Sequence, residues 1–213
     1  MKVPPLALVL PLCCFPLFAQ TPPASLHAFT SPLGFSYSLP STWETVNTES
    51  AIPSAKEQVE QSAGSEDEKK GAACTEVPLT ARHGSPADVI VIVAIPFDCF
   101  GQTLTPEDLP GFGAGAAQGL KQNFTVADAV TGSYSLGTHS FWIERAKGAP
   151  KSLPSASYTL EVACSVLKTA AVCWMTTAAD AEGLRVFEDS LISLEGGPAT
   201  GLVPANAFAK STP

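Results

Sequence analysis

Basic residues are scarce in this chain, with 12 Lys and Arg against 20 Asp and Glu and a formal charge of -8. Phosphate backbones are held by clustered Lys and Arg, so this balance excludes nucleic acid as a partner, and it argues equally against adhesion to anionic membranes. Histidine is rarer still. His27, His83 and His139 fall on separate segments, with none of the i, i+4 spacing that sets two ligands on one helical face. No metal centre and no cofactor is expected. Nucleophile signals are missing too. Ser135 in Gly132-Ser133-Tyr134-Ser135-Leu136-Gly137 has a serine where a nucleophile elbow needs its first glycine, and its context is a strand.

What is present starts at the N-terminus. Lys2 precedes an uncharged apolar run from Val3 to Phe18, followed by Ala19-Gln20-Thr21-Pro22-Pro23. This layout is that of a secretory signal peptide over residues 1–19, cleaved after Ala19. A transmembrane anchor needs about 20 apolar residues, and Pro11 and Pro16 interrupt this shorter run. No transmembrane segment is therefore expected in the mature chain. A lipoprotein signal would use Cys13 or Cys14, but Leu12 stands where a small residue is needed. Export to the periplasm or the cell exterior is the expectation, leaving 194 residues with a formal charge of -9, enough for one domain.

Cys74, Cys99, Cys164 and Cys173 remain after cleavage. Four cysteines in an exported chain imply two disulfides with three possible connectivities, and local hairpin geometry selects among them. An antiparallel register that sets Arg82 opposite Val91 also opposes Cys74 and Cys99. A tight turn at Lys168-Thr169 opposes Cys164 and Cys173. Each bridge then closes a short loop, contributing about 2.5 to 3.5 kcal/mol.

Along the chain, Gly34-Phe35-Ser36-Tyr37-Ser38-Leu39-Pro40 alternates apolar and polar residues, which predicts a half-buried strand over 35–39 with Trp43 returning to the core. A first strand over 27–30 pairs with it through Ser31-Pro32-Leu33-Gly34. Residues 50–73 form a polar insertion. Ser54 and Glu57 have capping-box spacing and predict a helix over 55–61, while the string at 65–70 reads as solvated chain. Strands follow over 75–82 and 89–95, the second apolar on both faces and so central to a sheet. Thr105-Pro106-Glu107-Asp108 opens a helix with Leu109, Phe112, Ala116 and Leu120 in a stripe. Its glycines lack dinucleotide spacing and read as close packing of helix on sheet. A meander over 124–136, 140–146, 158–166 and 171–177 leads to a helix over 181–189 capped by Asp180, with Leu184, Phe187 and Leu191 inward, and then a short strand to Leu194. Residues 147–157 read as a loop and 196–213 as a disordered tail, in which Leu202, Val203 and Phe208 have the apolar character to dock.

The opening strand pair, central apolar strand, helix, antiparallel meander and closing helix with Phe187-Glu188-Asp189-Ser190-Leu191 resemble the PsbP-like family over about residues 29–194. That family includes the photosystem extrinsic P protein and small bacterial proteins of unknown role. The resemblance implies an α+β fold, an antiparallel sheet sandwiched by helices, and a noncatalytic binding or assembly role. The insertion after Ser50 and the four cysteines depart from the family's pattern.

Charged residues inside apolar strands must be solvated or paired. Trp142, Glu144 and Glu161 are the candidate ligand or partner patch, with Arg145 pointing to the opposite face. The expected function is an exported noncatalytic binding or assembly module for an unknown protein partner or small ligand, over a domain spanning 27–195. Two readings compete with it. One is a hydrolase-like enzyme using Glu144 and Glu161 as paired carboxylates. The other is a carrier of a small apolar ligand in the cleft beneath the Gly-rich helix.

The disulfide expectation is testable on the exported protein. Peptide mapping under non-reducing conditions should recover Cys74 linked to Cys99 and Cys164 linked to Cys173; a Cys74–Cys164 peptide or free thiols would contradict it.

Overall fold

The computed structural model describes residues 25–47, 66–84 and 88–209. The signal segment at 1–19 and the helix expected over 55–61 lie outside the described residues. Two antiparallel sheets carry the fold. A four-stranded sheet has the order β1 (Leu26–Ser31), β2 (Phe35–Pro40), β10 (Leu191–Leu194), β11 (Thr200–Gly201). The seven-stranded sheet runs β3 (Glu44–Thr45), β4 (Glu76–His83), β5 (Asp88–Pro96), β9 (Ala170–Ala178), β8 (Tyr158–Val166), β7 (His139–Pro150), β6 (Phe124–Leu136).

Period-two alternation decides what each face of the large sheet meets. On one face Ile90, Ile92, Trp174, Phe141 and Ile143 pack against Phe35, Tyr37 and Leu39 of the small sheet. Phe35 meets the Trp174 ring edge-on at 5.5 Å, and Phe141 lies 5.8 Å from the same ring. Phe187 of α4 (Ala181–Asp189) joins this core. The other face carries Trp142, Val162, Cys164 and Cys173 under Leu109 and Ala117 of α3 (Leu109–Asn123). The α+β class is as expected, but helices alone do not sandwich the large sheet: a second sheet shares the cover of one face.

The caps are legible in the chain. Thr105 and Asp108 form a reciprocal capping box ahead of α3, whose start is delayed by one 3-10 turn at Pro106–Asp108. Asp180 Oδ1 accepts from the Glu182 and Gly183 amides at 2.9 Å each, closing the N-terminus of α4.

Several expectations need correction. Arg82 pairs with Val89 rather than Val91, because the β4–β5 hairpin closes on His83 and Asp88, one residue earlier than expected; the irregularity between Glu76 and Leu79, where Pro78 offers no amide to the ladder, moves the register one residue further. Cys74 instead closes α1 (Glu66–Cys74), and Cys99 sits in α2 (Phe97–Phe100). The bridge therefore ties two short helices, Cα to Cα 5.6 Å, instead of crossing a strand pair. The last third of the polar insertion is thus an anchored helix with Ala72 and Cys74 buried, a tether that composition does not reveal. Cys164 and Cys173 do oppose each other in the β8–β9 ladder, with Cα atoms 4.1 Å apart.

Strand β7 continues through Pro150, so the loop expected over 147–157 is shorter. Leu191 faces outward at 39 % exposure, because the chain leaves the helix at Ser190 and strand alternation buries Ile192 and Leu194 instead. Residues 200–209 are ordered rather than a loose tail. Leu202 and Val203 donate to the Ser190 and Glu188 carbonyls, both at 3.0 Å, and Leu202 and Ala207 are buried.

The glycines of α3 divide sharply. A Cβ on Gly113 would come within 2.1 Å of the Trp142 ring, whereas Gly111, Gly115 and Gly119 have nothing within 4 Å. Close packing therefore explains one glycine of the four. Gly113→Ala should cost about 1–3 kcal/mol by overpacking, while Gly115→Ala should be neutral or stabilising by about 0.5–1 kcal/mol through helix propensity. Urea unfolding of the two variants checks this, and equal effects would contradict it.

Candidate functional site

Strand β7 distributes the charged residues of the meander to opposite sides. Trp142 and Glu144 share the α3 face, paired in register with Cys164 and Val162. Arg145 opposes Glu161, on the face that meets the small sheet. Glu144 and Glu161 therefore point to different sides of the sheet, and the paired-carboxylate reading fails on strand alternation alone. The patch drawn from Trp142, Glu144 and Glu161 is likewise divided. Trp142 is buried beneath Gly113, and Glu144 lies 4.0 Å from Lys121 Nζ on α3.

The cleft beneath α3, lined in part by Leu120, Lys121, Glu144 and Val162, holds about 10 Å³. That is room for about one water molecule, so it carries no apolar ligand.

On the other face lies a partly buried ionic cluster. Arg145 Nε donates to Glu161 Oε2 and Arg145 Nη2 to Glu188 Oε1 on α4. The Phe208 ring stacks on the same guanidinium, with Cζ 4.4 Å from its centroid. Glu161 is fully buried, and among the described residues its Oε1 has no hydrogen-bond partner. Burial pushes the Glu161 carboxyl up to about 7; the Arg145 hydrogen bond and charge offset part of this, and the Glu188 charge adds to it. Glu188 is also raised, first by burial, with Arg145 opposing and Asp189 reinforcing. Tyr134 of β6 is raised as well, by burial and then by the Glu161 charge.

The C-terminal segment closes over this cluster. Its backbone crosses β6 at Gly132, where a Cβ would meet the Ala207 carbonyl oxygen at 2.2 Å. Gly132 is the residue that lets the segment lie this close.

An open groove of about 620 Å³ lies at the end of the molecule where the β6–β7 hairpin approaches the β10–β11 turn. Leu136 and Pro198 supply apolar surface over the buried Ile192 and Leu194, and Thr138, His139 and Glu195 supply polar groups. Glu195 has a left-handed backbone, φ 49°. Its amide donates to the Gly34 carbonyl at 2.6 Å, and its Oε1 accepts from the Lys168 amide at 2.7 Å. One residue thereby joins three turns. Burial would raise its carboxyl, but the Lys168 amide and charge, with His139, hold it below the usual range. The other histidines lie elsewhere, His27 in β1 and His83 stacked on Trp43 at 5.7 Å. Among the described residues no cluster of three His, Cys, Asp or Glu is placed to hold a metal ion, and no helix is long and apolar enough to cross a membrane.

Sequence reasoning missed the groove because its walls are turns brought together by tertiary packing. It also missed Glu188 and Phe208 as partners of Arg145. The available signal was an arginine and a glutamate embedded in adjacent apolar strands, but their register depends on a loop whose length the sequence leaves open.

The fold is similar to that in the solution structure of cyanobacterial PsbP (CyanoP) from Synechocystis sp. PCC 6803, with a TM-score of 0.41 and 12% identity, covering 76% of this chain and 85% of that one. The sequence matches no protein-family model and no curated protein.

Glu161 gives a pH dependence with a definite sign. Its folded-state value, about 7, lies above the ordinary 4.5, so the folded chain binds the extra proton. Its stabilisation is complete below pH 4.5 and is lost as pH rises to 7, at about 1.4 kcal/mol per pH unit and roughly 3 kcal/mol in all. Urea unfolding at pH 5, 6 and 7.5 should show stability falling across this window, with a much smaller fall in Glu161→Gln. Equal slopes in the two proteins would contradict the assignment.

Proposed function

We propose that this chain is an exported, noncatalytic binding or assembly module that engages its partner in the groove between the β6–β7 hairpin and the β10–β11 turn. The observation that carries the reading is the groove itself. Its volume, about 620 Å³, suits a recognition site, and apolar residues sit beside a few fixed polar groups. Glu195 is the most constrained of these, because its amide donates to the Gly34 carbonyl while the Lys168 amide and the Lys168 ammonium 3.4 Å away hold its carboxylate at the rim.

The noncatalytic part rests on the distribution of carboxylates. Glu144 and Glu161 lie on opposite faces of the sheet, and Glu161 is held by Arg145 beneath the C-terminal segment. A perturbed carboxyl is a common mark of an active site, but here burial inside a packed ion cluster accounts for the shift. Two disulfides suit an oxidising compartment, in keeping with the signal-like N-terminus.

Crosslinking and pull-down from the native envelope test the proposal, using the wild type beside Thr138→Arg, which places a long side chain at the groove from an exposed turn. A protein partner should be recovered with the wild type and fall about tenfold or more with the variant. Equal recovery would move the contact elsewhere on the molecule. A copurified small molecule without any protein partner would favour a carrier acting through the same groove.

A further inference from the structure

Strand β6 ends the seven-stranded sheet and pairs on one side only, with β7. Which of its backbone groups point outward follows from the hairpin. The two-residue turn Gly137-Thr138 makes Leu136 and His139 the closing hydrogen-bonded pair, so Leu136, Tyr134, Gly132 and Val130 bond to β7. The same alternation, carried across β7 and β8, makes Cys164 and Cys173 a pair without ladder bonds, and their Cα separation of 4.1 Å agrees. Thr131, Ser133 and Ser135 therefore present their amides and carbonyls to the open edge, and among the described residues none of these six groups has a partner.

This edge lacks the usual defences. Val130–Leu136 contains no charge and no proline. The one irregularity lies between Ala127 and Val130, where Asp128 takes a positive φ of 53°. Seven regular residues remain, with Val130 left 51 % exposed. In a chain of formal charge -8, this uncharged stretch is where two copies can approach without repulsion.

We propose that a second copy of this chain pairs antiparallel along Val130–Leu136, about a two-fold axis at Ser133, joining two seven-stranded sheets into one. The strand is self-complementary in this register. Ser133 faces its own counterpart and Thr131 faces the partner's Ser135, so all six outward backbone groups bond across the axis. Val130 faces the partner's Leu136, and Gly132 faces the partner's Tyr134. Asp128 then falls opposite the partner's Thr138, beyond the strand, whereas a register slipped toward Asp128 would oppose the two carboxylates. A strand-edge contact of this kind buries less than about 1,200 Å² and forms a weak dimer. The pairing does not depend on the groove's being the partner site.

Sedimentation of the full mature chain over a concentration series tests it, beside Ser133→Lys, which sets two ammonium groups opposite each other, and Ser133→Cys. The wild-type weight-average mass should rise toward twice that of the monomer, and Ser133→Lys should stay monomeric with unchanged thermal unfolding. Ser133→Cys should oxidise to a covalent dimer, while Gln122→Cys, on exposed α3, should not. A wild type monomeric at every concentration, or Ser133→Lys dimerising like the wild type, would overturn the proposal.

Discussion

The guanidinium of Arg145 holds together parts of the chain that no single ladder connects. It sits on β7, binds Glu161 on the neighbouring strand, reaches Glu188 on the closing helix and carries Phe208 from the C-terminal segment on its face. A buried ion pair is a weak source of net stability, because desolvation consumes most of the Coulombic gain. Breaking one is costly, since it strands a charge. The cluster therefore contributes mainly by specifying where α4 and residues 200–209 lie. Those residues include β11, which borders the groove, so the groove's geometry depends on a contact some distance from it.

Alternation along β7 is the second constraint. Phe141, Ile143 and Arg145 look toward the small sheet, while Trp142 and Glu144 look toward α3. One strand thus serves two cores, and a large side chain on either face needs a matching concession. Gly113 is that concession for Trp142, and Gly132 is the concession that admits Ala207. The disulfides reinforce this arrangement in two places, one buried in the sheet and one at its edge. Cys164–Cys173 reinforces a hairpin already set by a two-residue turn, and Cys74–Cys99 fastens two short helices with little buried surface of their own.

Much of this was legible from local signals. The strand at Phe35, the cap at Asp180, the β8–β9 register and the boundaries of α4 follow from period, capping chemistry and turn length, which act within a few residues. What was not legible depends on contacts distant in sequence. Arg145 and Glu161 are 16 residues apart, and Arg145 and Glu188 are 43 apart. The composition of residues 196–209 resembles a tail because its anchoring residues are few, Leu202, Ala207 and Phe208, and they meet surfaces built much earlier in the chain. At Cys74 and Cys99 the expected pair is present through a different geometry, because the β4–β5 hairpin closes on His83 and Asp88, one residue earlier than the register that would have opposed them, and both cysteines fall in short helices.

The claim that Arg145 fastens the C-terminal segment is tested most directly by amide hydrogen exchange on Arg145→Met at pH 6, below the folded-state value of about 7, where Glu161 is mostly protonated and the substitution strands no charge on it. The account requires the amides of Leu202 and Val203, bonded to Ser190 and Glu188, to lose protection while those of β8 and β9 keep it. Unchanged protection at Leu202 and Val203 would contradict it.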